Sequence, residues 1–210
     1  MTEAMQKLHA WLSPGYPVGA YAYSHGVEWA ISAGLVGDGA ALERWIADCL
    51  RIGAGRTDAI LAAAAYADPS SEEPADLAAA LAPSRERLAE TTEMGAAFAA
   101  TTSAVWGRDH GPAPYPVAFG RFARAHEAPL VPALTLFLQA FAANLASVGV
   151  RLIPLGQTEG QRIVAALMPI CAMLAEEAAR STLDDVGGAA LLSDISAIAH
   201  ETQTVRLFRT

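Results

Sequence analysis

Between Glu127 and Arg151 the chain carries no charged residue, and the segment VPALTLFLQAFAANLASVGV within it is nearly long enough to span a bilayer. A segment of that kind either crosses a membrane or forms the centre of a soluble core. On a helical wheel advancing about 100° per residue, Leu134, Phe137, Leu138, Phe141, Leu145 and Val148 gather in one wedge. Ala, Thr, Gln, Asn and Ser fill most of the remainder, with Leu136 the main exception. A lipid-facing span needs bulky apolar cover all round, and Gln139 and Asn144 count against lipid. The pattern therefore predicts a central core helix. Its small-residue side lets a neighbouring backbone approach closely, either inside the fold or across a dimer face.

Composition supports a core of that size. Hydrophobic residues make up 53% of the 210 positions and charged ones 17%, which fits one folded domain and argues against wholesale disorder. The formal net charge of -8 argues against a general binder of nucleic acid or anionic membrane, since both need a basic face. Cys49 and Cys171 stand far apart and form no C-x-x-C pair, so neither a disulfide framework nor a zinc site is expected, in keeping with a reducing cytoplasm. The opening MTEAMQKLHAWLSPG carries Glu3 and lacks a long apolar run, and is not expected to be a signal peptide.

Helix signals recur along the chain. Asp38 is placed to cap a segment in which Leu42, Trp45, Ile46, Cys49 and Leu50 recur at helical spacing. The alanine-rich run Ala59 to Ala67 is helix-prone and is interrupted by an exposed turn from Asp68 to Pro74. Ser84 is placed to cap the next helix, with Met94, Phe98, Thr101 and Val105 on one side, and Gly107 to Pro116 is the plainest loop. Pro154 closes the central helix. Thr158 and Gln161 form a capping-box pattern for a helix whose Ile163, Val164, Leu167, Met168, Cys171 and Leu174 make an apolar stripe. Pro169 lies inside it and should kink or split it. Beyond Gly187-Gly188 a last helix is expected with Leu191, Leu192, Ile195 and Ile198 inward. No internal repeat and no series of alternating strands is found. The expected fold is all-α, a single-domain globular bundle of roughly 8–10 helices.

No catalytic constellation emerges. Ala22-Tyr23-Ser24-His25-Gly26 half-resembles a G-x-S-x-G nucleophile elbow, but that device needs a strand feeding a sharp turn and a surrounding parallel sheet. Ser24 reads more simply as a helix cap, which leaves a small serine hydrolase using Ser24 as the alternative function. His200-Glu201 begins an H-E-x-x-H pattern, yet Thr204 stands where the second ligand belongs. Gly156 to Gln161 lacks the Gly-Lys-Ser/Thr ending of a phosphate-binding loop, so no hydrolysis of GTP or ATP by this chain is expected. His9, His25, His110, His126 and His200 show no mutual ligand spacing, and Asp184-Asp185 reads as a helix-terminus pair.

Four segments carry a resemblance. Ser13 to Glu28 follows the pattern S-P-x-x-P-V-G-x-[FY]-x-[YH]-S-x-G-[LV]-E; Glu90 to Gly95 follows E-x-x-x-M-G; Pro154 to Gln161 follows P-L-G-Q-[TN]-[DE]-G-Q. His200-Glu201 with Arg206 to Thr210 follows H-E-x-x-x-x-R-L-[FY]-R-S, with Thr204-Val205 in place of Tyr-Ser and Thr210 in place of the final Ser. In order and separation, over essentially the whole chain, these resemble the urease accessory protein family UreF. The resemblance implies a cytoplasmic, all-helical, dimer-forming, non-catalytic protein. It would bridge the accessory protein UreD (also called UreH) and the GTPase UreG on apo-urease. Nickel insertion coupled to GTP hydrolysis by UreG would follow, with no cofactor or metal bound stably and nickel only passing through the complex. No nucleic acid or membrane partner is implied. Carried over by motif position, the partner-binding residues expected are Tyr21, Glu28, Arg206, Leu207, Phe208 and Arg209. Residues 202–210 are expected to form a mobile tail that docks on the UreD-type partner, its guanidinium groups pairing and its apolar side chains becoming buried.

Overall fold

The computed structural model of the chain describes residues 2–210, and among them it contains helices and no strand. Ten α-helices follow in order: α1 (Glu3–Trp11), α2 (Val27–Ser32), α3 (Gly39–Ile52), α4 (Ala54–Ala67), α5 (Glu73–Ala80), α6 (Arg85–Trp106), α7 (Tyr115–Ala125), α8 (Leu130–Leu152), α9 (Gln157–Ala178) and α10 (Leu191–His200). Two short 3-10 turns lie at Ala20–Ala22 and Leu183–Asp185.

The charge-free segment is α8, and it is the axis of the molecule. It packs along α9 and against α2, α3 and α4, while α7 lies across α4 and α6. Of the predicted wedge, Leu134, Phe137, Leu138, Leu145 and Val148 are buried and Phe141 is half-buried. By length and composition alone α8 could cross a membrane, but half of its most apolar window is buried within the fold. Burying each large apolar side chain contributes roughly 1.5–3 kcal/mol, and α8 buries Leu134, Phe137, Leu138, Leu145 and Val148. At one end the core is aromatic: Phe98 meets Trp11, Tyr115 and Phe122 edge-on, and Phe119 lies 4.9 Å from Phe137.

The predicted boundaries hold where a side chain fixes them. Asp38 accepts from the Ala41 N–H at 2.8 Å and Ser84 from the Arg87 N–H at 3.1 Å, capping α3 and α6. Three expectations fail in whole or in part. Thr158 is no cap: α9 starts at Gln157 behind Gly156, which has no side chain to offer, and Thr158 sits in the first turn. Of the two outcomes expected at Pro169 the split is excluded, since α9 runs unbroken to Ala178. The third concerns α10, where Leu191, Leu192, Ile195 and Ile198 are 67%, 60%, 53% and 53% exposed. Its inward side is small and polar, with Ala190, Ser196, Ala197 and His200 buried. The helix is amphipathic as its periodicity implies, but it is turned inside out.

Candidate functional site

The reason for that inversion lies in what α10 packs against. It sits on α2, and Gly26, at φ +76 just before α2, comes so close that a Cβ there would stand 2.6 Å from the Ala197 nitrogen. Only small residues fit such an approach, so the bulky side of α10 faces away. At the far end of the helix, buried His200 lies between two carboxylates: Nδ1 is 2.7 Å from Glu86 and Nε2 3.1 Å from Glu28.

Beyond α10 the last residues run back along the body of the protein. Glu28, in the first turn of α2, accepts the backbone N–H of Leu207 at 2.6 Å and of Phe208 at 2.9 Å. The Arg209 N–H donates to the Ala22 carbonyl at 2.8 Å, and the Ser24 N–H to the Thr210 carbonyl at 2.9 Å. Phe208 is buried, with the Arg151 guanidinium 5.4 Å from its ring centre. Thr210 is also buried, its hydroxyl donating to Glu90 at 2.8 Å.

Three glutamates on α6 serve the same segment. Glu86, Glu90 and Glu93 are spaced four and three apart, so they line one face of the helix. Glu86 pairs with Arg206 at 2.5 Å, and Glu93 with Arg209 at 2.7 Å. Between them Glu90 holds Thr210, pairs with Arg87 and takes a hydrogen bond from His25 at 2.7 Å. Burial alone would raise the Glu90 carboxyl, but the neighbouring Arg87 and His25 outweigh it and hold it at about 2. Burial and the Arg87 charge together push His25 below its ordinary value, so the neutral ring donates to an ionised Glu90. At the exposed end, hydrogen bonds from Arg209 and then Tyr23 lower Glu93.

This geometry sorts the residues expected to bind a partner. Glu28 and Phe208 are buried among the chain's own residues and hold the tail in place. Tyr21 is 66% exposed, its carbonyl accepting from Arg151 at 3.0 Å. Arg206, Leu207 and Arg209 are exposed, as is Val205. Ser24 is fully buried and its hydroxyl donates to the Thr210 carbonyl, which removes it as a nucleophile presented to solvent. It also accepts from the Glu28 N–H at 3.3 Å, a cap-like role at the head of α2. The sequence patterns did not single out Glu86, Glu93, Arg87 or His200 for this work. The signal for the first two was present in the four-and-three spacing of acids on α6.

Three of the four motif segments thus meet at one place: the Ser13–Glu28 opening, the Glu90–Gly95 stretch and the closing Arg206–Thr210. Gly95 belongs there because a Cβ would run into the Ala113 carbonyl, where the loop before α7 crosses α6. The fourth, Pro154 to Gln161, stands apart at the α8–α9 junction, where Glu159 lies against Gly39. Among the described residues no group of three or more His, Cys, Asp or Glu is arranged to hold a metal ion.

The family model of UreF matches residues 36–168. The chain belongs to the UreF family. A urease accessory protein UreF of Cereibacter sphaeroides (strain KD131) is 57% identical over 210 residues, with 100% of each chain covered. One of Roseobacter denitrificans is 48% identical, covering 100% of this chain and 95% of the relative, and one of Methylobacterium sp. (strain 4-46) is 49% identical, covering 97% and 87%. UreF membership places the chain in urease maturation. Of the elements that meet there, α6 lies within the matched span and α2 and the tail lie outside it, where the full-length relatives extend the likeness.

Proposed function

We propose that this UreF protein works as a non-catalytic docking platform in the cytoplasm. It joins UreD (UreH) to the GTPase UreG on apo-urease, so that GTP-dependent nickel insertion can proceed. Nickel passes through the assembly and is not retained by this chain. The partner of the UreD type binds the outer side of α10 and the exposed residues of the tail. The observation that carries this reading is the inversion of α10: Leu191, Leu192, Ile195 and Ile198 face solvent on a helix whose inner side is small and polar. Val205 and Leu207 add exposed apolar surface just beyond it, with Arg206 and Arg209 beside them. Apolar helix faces left open in this way mark interfaces, and arginine and aromatic side chains such as Tyr21 commonly anchor their energy.

A second surface supports the homodimer. Between Arg162 and Glu176, α9 exposes Ala165, Ala166, Met168, Pro169, Ala172 and Met173 without a charge among them. A second copy of the chain covers this face.

The test is reconstitution. Co-purification with UreD and UreG, followed by nickel-dependent activation of apo-urease, is measured with the native chain, with none, and with Leu192→Asp/Ile195→Asp. Activation should fall to the level without the chain when the double variant is used, while its folding stays native. Urease maturing equally well without the chain overturns the proposal, and a double variant that binds UreD normally removes α10 from it.

A further inference from the structure

On the side of α10 away from the tail, a cavity of about 390 Å³ opens between α4, the α5–α6 connection and the start of α10. That volume is at the small end of the ligand-site range. Two carboxyl groups line it from opposite elements, Asp58 on α4 and Asp194 on α10. Among the described residues neither side chain takes part in a hydrogen bond or an ion pair, and both residues are half-buried. Burial raises Asp58 to about 7, against the opposing charge of Arg87 and with help from Glu90, and burial raises Asp194 as well. The cation nearest to hand, Arg87, is already paired with Glu90. Arg87 itself lines the cavity and draws both carboxyls down against burial, but its pairing with Glu90 leaves this wall with more acid than base. The hydroxyls of Thr57 and Ser193 stand beside them. The other half of the lining is apolar, including buried Leu61 and, at the exposed rim, Leu81.

A net-acidic wall reached past an apolar rim matches one kind of guest: a single cationic head carrying several N–H donors on a methylene stem. We infer that this cavity is a socket for one basic side chain, arginine or lysine, presented by a partner protein, its head between Asp58 and Asp194 and its stem along Leu61 and Leu81. A bare metal ion is the poorer fit, because no third ligand joins the two carboxylates. The proposal is independent of which partner covers the outer face of α10, since the socket lies on another side of that helix and is tested with small probes.

The experiment titrates the full chain with n-butylguanidinium, n-butylammonium, the neutral n-butylurea and 1,4-diaminobutane, following the Asp58 carboxyl carbon by NMR. The cationic butyl probes should bind in the millimolar range expected for fragments and move the Asp58 titration to lower pH. Asp58→Asn or Asp194→Asn should weaken butylguanidinium about tenfold or more, with the fold intact by thermal unfolding. Butylurea binding as well as butylguanidinium, or either variant keeping full affinity, overturns the socket. A clear preference for 1,4-diaminobutane overturns it too, in favour of a free diamine.

Discussion

Helices α8 and α10 are built from the same apolar vocabulary and use it in opposite ways. In α8 the large side chains Leu134, Phe137, Leu138 and Leu145 turn inward, and the helix is packed among α1, α2, α3, α4, α7 and α9. In α10 they turn outward, and the helix is held by a close backbone approach at Gly26 and by His200 between two glutamates. The first arrangement gains its stability from burial. The second leaves that gain unrealised in the isolated chain and available to a partner. Periodicity reveals an apolar face in both helices, but which way the face points depends on what the neighbouring element can accommodate.

The contrast is sharpest in truncation experiments. Leu138→Ala in α8 should destabilise the fold by about 2–5 kcal/mol in denaturant unfolding, through lost burial and a residual cavity. A cost below about 1 kcal/mol would remove α8 from the centre of the core. Acid should act next most strongly, and through the tail. Glu90 is ordinarily near 4.5 and is held at about 2 by its partners. A depressed carboxyl contributes stability that is complete above pH 4.5 and is lost as pH falls towards 2, on the order of 3 kcal/mol. Glu90→Gln should flatten that acid limb; an unchanged limb would show that Glu90 does not anchor the tail.

A smaller effect is expected at the contact that turns α10 outward. Gly26→Ala places a Cβ against the Ala197 backbone at a positive φ, and should cost about 1–3 kcal/mol. Protease sensitivity near residues 187–190 should rise with it, and a variant as resistant as the native chain would disconnect Gly26 from α10. The smallest effect belongs to the exposed face itself: Leu192→Ala and Ile195→Ala should each shift stability by no more than about 0.5 kcal/mol. A loss comparable to that of Leu138→Ala would mean that the side chains are buried after all.

Much of the fold was legible because its signals are local. The Asp38 and Ser84 caps, the break at Pro154 and the wedge of α8 all depend on residues within a few turns of one another, and the structure has them where the pattern put them. The Thr158 box was misread because its spacing is met by chance inside the first turn of α9. The site was legible only in part. Family motifs pointed to Glu28, Arg206 and Arg209, but not to the chemistry joining them, which runs between residues more than a hundred positions apart. Nor could sequence alone separate Phe208, which is buried, from Leu207 beside it, which is exposed, because alternation shows two faces without saying which one meets the body.

The central claim is that the outward face of α10 is completed by another protein. Amide hydrogen exchange across Leu191–His200, measured for the chain alone and in complex with the UreD-type partner, tests it most directly. The account predicts fast exchange in the free chain, since little burial protects this helix, and strong protection on binding, while α8 stays protected in both states. Equal exchange of α10 in the two states, with the complex demonstrably formed, would contradict it.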